Sequence, residues 1–247
     1  MWGIIPAAGK GSRIQPLAFS KELLPVGARN LNGRPTPRAV SDYLIERLVL
    51  GGATRICFVI SPGKSDILEY YGGSAHGIPI CYCVQPEPLG LCDAIFRAAP
   101  LIAPGDSVLV GLPDTIWFPA GALSLLRRDT LEFLLFPVDK PELFDAVVAA
   151  PDGRVREIRV KRPDAGSNWI WGAFRMSGSV FHDLFSLWTG RRDEFIGTLV
   201  NSWIESGGEA WSEKAGAAYF DVGAMEGYIA AVRLLADTEM TIAGTQK

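Results

Sequence analysis

An apolar run that breaks straight into glycines limits this 247-residue chain more than any other feature. Gly3 to Ala7 suits a buried strand, and it runs into Ala8, Gly9 and Gly11. A chain that leaves a strand through so little side-chain bulk offers successive backbone amides to whatever lies at the strand end. Lys10, Arg13 and Lys21 bring positive charge to the same place, so the turn suits a polyvalent anion. Two familiar phosphate loops lose support from the spacing: Gly9, Gly11 and Arg13 give G-x-G-x-R, with neither G-x-G-x-x-G nor a G-K-[ST] ending. Taken alone, such a segment reads as a tight strand-to-helix turn with solvated basic residues.

The rest of the chain supplies a rhythm. Strand-like segments at Trp2 to Pro6, Arg55 to Ile60, Ile80 to Val84 and Ser107 to Val110 alternate with helix-like ones at Arg38 to Leu50, Lys64 to Tyr71 and Leu89 to Ala98. That alternation predicts an α/β sheet with right-handed crossovers. Val40, Tyr43, Leu44 and Leu48 recur at helical spacing, and Gly51 and Gly52 supply the stop. Beyond Pro119 the pattern predicts a short helix, an apolar strand at Leu131 to Phe136 and a strand-rich stretch from Phe144 to Met176. Helices follow at Ser179 to Trp188, Glu194 to Glu205 and Ala224 to Leu235. With 48% hydrophobic residues and no low-complexity linker, residues 1–247 are expected to form one domain.

Charge and composition narrow the partners. A net charge of −3 from 24 basic and 27 acidic residues leaves no footprint for nucleic acid or for an anionic membrane. No apolar run approaches the roughly 20 residues of a membrane-spanning helix, and the N-terminal segment lacks a basic leader, so a cytoplasmic protein is expected. Four cysteines, Cys57, Cys81, Cys83 and Cys92, make no paired C-x-x-C set for zinc; they read as reduced thiols, with Cys81 and Cys83 expected on opposite strand faces.

The segment A-A-G-K-G-S-R-I-Q-P-L from Ala7, followed by S-K-E-L-L-P-V from Ser20, resembles the signature of the sugar-phosphate nucleotidyltransferases. These enzymes join a nucleoside triphosphate to a sugar 1-phosphate and release pyrophosphate. P-A-A-G and K-E-L-L-P are closer to the glucose-1-phosphate uridylyltransferases, and the compact length to the thymidylyltransferases. The resemblance implies a three-layer, Rossmann-like mixed sheet, mostly parallel and flanked by helices. Roughly 1–118 would form the nucleotide-binding half and 119–247 the sugar-phosphate half. It also implies a nucleotide cradle of Ala7, Ala8, Gly9, Lys10, Gly11 and Ser12, with Arg13 on the β- and γ-phosphates and Lys21 near the α-phosphate. Family members commonly assemble as dimers or tetramers.

Two aspartates stand at strand ends, Asp114 in Gly-Leu-Pro-Asp-Thr and Asp221 in Tyr-Phe-Asp-Val-Gly. Either alone reads as a turn or helix cap, whereas together on one face they suit a hard divalent cation. They look like the family's two ligands for Mg2+. The segment Gln85-Pro-Glu-Pro-Leu-Gly90 resembles the base-reading element, with Gln85, Pro88 and Gly90 as contacts: an amide matches the imide edge of uracil or thymine, and Gly90 lets the base approach backbone. The plain reading is a proline-rich turn that caps a helix.

The acceptor side matches less closely. Val160-Lys161-Arg162-Pro163 is similar to an E-K-P element whose lysine grips the sugar phosphate. Aligned on proline, Arg162 takes the lysine's place, whereas a one-residue insertion gives it to Lys161, the preferred assignment. Ser167 to Gly172 resembles the lining of a sugar pocket, with Gly172 allowing close approach and Trp171 either stacking on a pyranose or filling core. Ala146 stands where a glycine commonly contacts sugar, and Glu194 to Asn201 lacks the acidic residue often seen before its helix. Glucose 1-phosphate is the first acceptor expected, with a modified sugar, a cyclitol phosphate or CTP as substrate alternatives. A sugar-nucleotide sensor without catalysis is the alternative of another class. His76 and His182 fall outside every motif, and no nucleophile–base set is visible.

Overall fold

A computed structural model describes the backbone of residues 1–31 and 33–244 and the side chains of residues 1–30 and 33–236. From the N-terminus, β1 (Trp2–Pro6) leads through a long loop to a hairpin of β2 (Pro25–Leu31) and β3 (Arg34–Ala39), then to α1 (Val40–Leu50) and β4 (Arg55–Ile60). Next come α2 (Ser65–Tyr71), β5 (Ser74–Ala75), β6 (Ile78–Val84), α3 (Gly90–Phe96), β7 (Ser107–Gly111) and β8 (Thr115–Phe118). The later part runs through β9 (Leu131–Pro137), β10 (Asp145–Ala149), β11 (Val155–Val160), β12 (Trp169–Ser177), α4 (Gly178–Arg191) and α5 (Ile196–Glu205). It ends in β13 (Ala210–Glu213), β14 (Ala218–Asp221) and α6 (Met225–Gly244).

The main sheet runs β5-β6-β4-β1-β7-β12-β9-β13. Strands β6, β4, β1 and β7 are parallel, β12 is antiparallel to both β7 and β9, and β13 returns parallel to β9. The edge of β12 that meets β7 near its C-terminus meets β10 at Ile170, so β10 and β11 extend the sheet there. This mixed, mostly parallel sheet is the architecture expected. Strand β1, buried along its whole length, is paired on both edges, which is why its sequence is continuously apolar. From β1 the chain goes to β4 and β6 on one side and later to β7 on the other. The carboxyl end of β1 is therefore the switch point where α/β sheets open a crevice.

Helices cover both faces. One core holds Phe96, Phe133, Phe174 and Phe181 with α3, α4 and α5; the other holds Leu44, Leu48, Phe58, Ile67 and Phe136 with α1 and α2. All four cysteines join the first core, because residues two apart on a strand share a face; Cys81 and Cys83 therefore lie together, contrary to the opposite faces expected.

Two short sheets lie outside the main one. The hairpin β2-β3 is unannounced by its sequence, which carries three prolines and no apolar alternation. Strands β8 and β14 pair antiparallel, with Thr115 opposite Asp221. Strand β8 is fixed from behind by Arg47 of α1. Its fully buried guanidinium donates to Trp117 O at 2.9 and 2.7 Å and to Tyr43 O at 2.9 Å, and burial lowers its pKa to about 10. Among the described residues no helix is long and apolar enough to cross a membrane.

Candidate active site

The loop after β1 lies at the switch point, with its first turn pinned to the sheet. Ala7 and Ala8 are buried, and Ala7 N–H donates to Val59 O at 2.8 Å. Gly9, Lys10, Ser12 and Arg13 face solvent. A Cβ on Gly9 would meet nothing within 4 Å, so that backbone stays open to an approaching ligand. Gly11 is a glycine for a different reason. Its φ of +66° suits no β-carbon, and one there would lie 2.7 Å from Lys21 Cδ.

Behind the loop is a buried pair that sequence reasoning missed. Lys64 Nζ donates to Ala7 O at 2.6 Å and to both Glu22 oxygens at 2.7 Å. Burial raises the Glu22 carboxyl despite Lys64, and lowers the Lys64 ammonium despite Glu22. The pair ties the loop after β1 to the segment carrying Lys21, and nothing but spatial proximity announces it. A cleft of about 450 Å³ runs alongside, lined in part by Lys10, Lys21, Lys64 and Ser61.

Asp114 follows β7 and Asp221 ends β14. The β8-β14 pairing draws them together, helped by the Val222 N–H bond to Asp114 O at 2.8 Å. Each carboxylate holds a cation. Lys21 Nζ donates to Asp114 Oδ2, and Arg13 Nη1 donates to Asp221 Oδ2 at 2.6 Å. Burial pushes Asp114 up, but the charge and hydrogen bond of Lys21 outweigh it and hold the carboxyl below its ordinary value. Gly223 lies between the two: its N–H donates to Asp221 Oδ1 at 3.0 Å, and a Cβ there would collide with Asp114 Oδ2 and lie 3.0 Å from Asp221 Oδ1. Gly223, two residues past Asp221, was readable only as part of the Tyr-Phe-Asp-Val-Gly string.

Two carboxylates are a sparse metal set. No group of three or more His, Cys, Asp or Glu suited to an ion occurs among the described residues. Hard oxygen donors with vacancies left over are what a divalent cation carried by phosphate oxygens and water needs.

Gln85 is buried after β6. Its Nε2 donates to Gly90 O at 3.0 Å and to Asp93 Oδ2 at 2.8 Å, which spends both amide hydrogens on protein. Oε1 has no partner among the described residues. Pro88 is exposed on the same loop. The absent side chain of Gly90, at φ +94°, makes room for Glu194, whose carbonyl a Cβ would approach to 2.8 Å. Its smallness serves internal packing, a different use from the base approach expected.

On the acceptor side the expected residues are dispersed. Lys161, at φ 47°, extends its ammonium to 5.0 Å over the Phe195 ring. Arg162 lies at the surface, bonded to Asp164 at 2.9 and 2.7 Å. Trp171 is buried between Phe133 and Phe174, with its indole N–H reaching Asp145 Oδ2 at 3.3 Å. Gly172 makes room for protein rings: a Cβ there would stand 2.6 Å from Phe136 and 2.8 Å from Tyr219, so its space is taken by core rather than left for a sugar. Asp145 belongs to none of the sequence motifs. Burial raises its carboxyl, against the indole bond and the charge of Lys161. Half-buried Tyr219 connects the two ends: desolvation raises its hydroxyl, and the charges of Asp221, Asp114 and Asp145 push it further the same way.

Known proteins resemble this chain in sequence and in fold. The chain is 27% identical over 216 residues to a UTP–glucose-1-phosphate uridylyltransferase of Haloferax volcanii, covering 84% of this chain and 85% of that one. It is 27% identical over 237 residues to a glucose-1-phosphate thymidylyltransferase of Mycolicibacterium smegmatis, covering 92% and 79%. The fold of a UTP-bound UGPase from Acinetobacter baumannii superposes with a TM-score of 0.77 at 19% identity, covering 98% of each chain. The nucleotidyl transferase family model matches residues 2–238, and the chain belongs to that family.

Proposed function

We propose that the protein joins UTP or dTTP to a sugar 1-phosphate, with glucose 1-phosphate as the first acceptor, and releases pyrophosphate. The observation that carries this reading is the double ion pair at the switch point, Arg13 with Asp221 and Lys21 with Asp114. Two cations and two carboxylates gathered on a glycine-rich strand end suit a metal-bound triphosphate.

In this reading a phosphate oxygen of the acceptor attacks the α-phosphorus in line, and pyrophosphate leaves. No protein nucleophile is needed; the chain positions and neutralises. The amides of residues 7–12 cradle the phosphates. Asp114 and Asp221 would hold Mg2+, which when bound neutralises triphosphate charge. As the nucleotide loads, Arg13 and Lys21 exchange carboxylate oxygens for phosphate oxygens, Arg13 on the β- and γ-phosphates and Lys21 near the α-phosphate. Gln85 can only accept, because Asp93 and Gly90 use its donors. An acceptor there favours the imide N–H of uracil or thymine over the bare ring nitrogen of cytosine. Lys161 is the better acceptor-phosphate ligand, since Arg162 is committed to Asp164. Substrates of this kind fit a cytoplasmic location.

The test is magnesium-dependent pyrophosphate release across UTP, dTTP, CTP, ATP and GTP against several sugar 1-phosphates. Release with UTP or dTTP and glucose 1-phosphate is expected. Release confined to CTP overturns the base assignment, and release confined to another acceptor overturns the sugar. Silence throughout overturns catalysis in favour of a sugar-nucleotide sensor.

A further inference from the structure

A second cavity, of about 540 Å³, opens between α3 and α4, from His182 to Arg192 along the latter, and shares no lining residue with the cleft beside the phosphate loop. That volume lies within the range of small-molecule sites. Its wall is aromatic. Phe96 lies 5.6 Å from Phe185 and 5.5 Å from Trp188, and Phe185 stacks on Trp188 at 6.2 Å and 22°. Two guanidiniums flank the rings. Arg192, in the left-handed position that ends α4, stands 4.6 Å over the Trp188 ring. Arg97 holds Asp93 through Nε at 3.1 Å and Nη2 at 2.8 Å, while a third of its side chain stays exposed.

Asp93 is the single acid among the described lining residues, and it is buried and already bonded. The mouth therefore carries a net positive charge over an apolar wall. Stacking and charge together select a ligand with an aromatic body and an anionic group; neither a bare anion nor a neutral ring uses both.

The cavity also touches the nucleotide side through one residue. Asp93 Oδ2 accepts from Arg97 on the cavity side and from Gln85 Nε2 on the other. A guest anion that draws Arg97 outward leaves Asp93 to Gln85 alone and changes how that amide is held.

We propose that this cavity is a second ligand site, for an aromatic-bodied organic anion, and that its occupancy is transmitted to Gln85 through Arg97 and Asp93. The site stands on the cavity alone, whereas the transmission rests on the reading of Gln85 as a base contact.

The probe is 8-anilinonaphthalene-1-sulfonate, titrated into the full chain by fluorescence, with neutral N-phenyl-1-naphthylamine and inorganic sulfate as comparison ligands. The variant is Arg192→Gly, since glycine is at ease at φ 60° and the αL cap is kept. One-to-one saturable dye binding is expected, weakened about tenfold or more in the variant, with both comparison ligands markedly weaker. Equal dye affinity in the variant, equal affinity for the neutral amine, or simple competition between dye and magnesium-UTP each overturns the site. For the transmission, the Kd of magnesium-UTP is measured with and without saturating dye. A shift of about fivefold or more is expected in the native chain, and the reciprocal shift in dye affinity with it. An unchanged Kd overturns the transmission and leaves the site. Failure of magnesium-UTP to bind the dye-free protein overturns the nucleotide reading and the transmission together, which separates that failure from loss of the site.

Discussion

The phosphate end and the acceptor end of the candidate site are built on opposite terms. At the phosphate end three ion pairs are already made, Lys21 with Asp114, Arg13 with Asp221, and Lys64 with Glu22, while Lys10 faces solvent on the loop. At the acceptor end charges lie apart, with Lys161 over a ring, Arg162 tied back to Asp164, and Asp145 half-buried with one indole bond. A preformed set of pairs suits a ligand that brings equal and opposite charge, because the protein exchanges one partner for another without stranding any. An open set suits a ligand read by a few hydrogen bonds. On the proposed function, the phosphate end would carry the reaction and the acceptor end the choice of substrate.

The largest effects are expected where both carboxylates and their cations meet. Asp114→Asn and Asp221→Asn should each lower turnover by about 10³-fold, as loss of a preorganised charge does at a phosphoryl centre. Arg13→Ala should lower it by roughly 10²–10³-fold while weakening binding of the sugar nucleotide product far less, since its charge matches the leaving pyrophosphate. Steady-state kinetics beside product titration separates the two. Equal losses in both would reduce Arg13 to uniform binding and blur the contrast between the ends.

A smaller effect should come from one methyl group. Gly223→Ala keeps both carboxylates but places a Cβ against Asp114 Oδ2. Misplacement on this scale is worth about 10²-fold in turnover. The melting temperature should change less than turnover, because the added Cβ on this buried residue meets carboxylate atoms at the site and no apolar core side chain. Turnover within about threefold of the native chain would show that the carboxylates relax freely, and that the phosphate end is less preformed than its ion pairs suggest.

How much of this was legible follows from range. Strands β1 and β4 are readable to the residue, because a strand buried on both faces must be apolar throughout. The hairpin β2-β3 is unreadable, because its strands, rich in proline and arginine, follow no face of the main sheet. Asp114 and Asp221 can each be read as strand-end carboxylates. Their meeting depends on β8 pairing with β14 across a hundred residues, and on Arg47 bracing β8 from behind. Gly90 and Gly172 were legible as glycines that something approaches, but which partner approaches, Glu194 and Phe136 respectively, is a tertiary fact. The acceptor side was least legible because its determinants are single contacts: Arg162 looks like a phosphate ligand until Asp164 claims it.

That last point sets the next expectation. Lys161→Ala should lower kcat/KM for the sugar 1-phosphate by about 10–100-fold with the nucleotide KM nearly unchanged, whereas Arg162→Ala should stay within about twofold, as an exposed ion pair contributes little. The reverse ranking would move the phosphate ligand to Arg162 and restore the alignment on Pro163.

The smallest effect is on stability, and its sign differs between the ends. Asp114 has a lowered pKa, set by Lys21 against burial, so its ionised form stabilises the fold; that contribution is present above the ordinary carboxylate pKa and is lost as pH falls through the folded value. Asp145 has a raised pKa, set by burial, so its protonated form is the favoured one. Its contribution is present below the ordinary value and is lost as pH rises through the folded value. Asp145→Asn should therefore raise the melting temperature at pH 7.5 by about 2–4 °C, the scale of one modest interaction in a chain of this size, and the gain should shrink toward pH 4. Asp114→Asn should lower it at pH 7.5, and that loss should likewise shrink as pH falls. Thermal melts of both variants across this range test the contrast directly. A loss of stability in Asp145→Asn at neutral pH would mean that the Asp145 charge is compensated in the folded protein, and the acceptor end would then be as fully paired as the phosphate end.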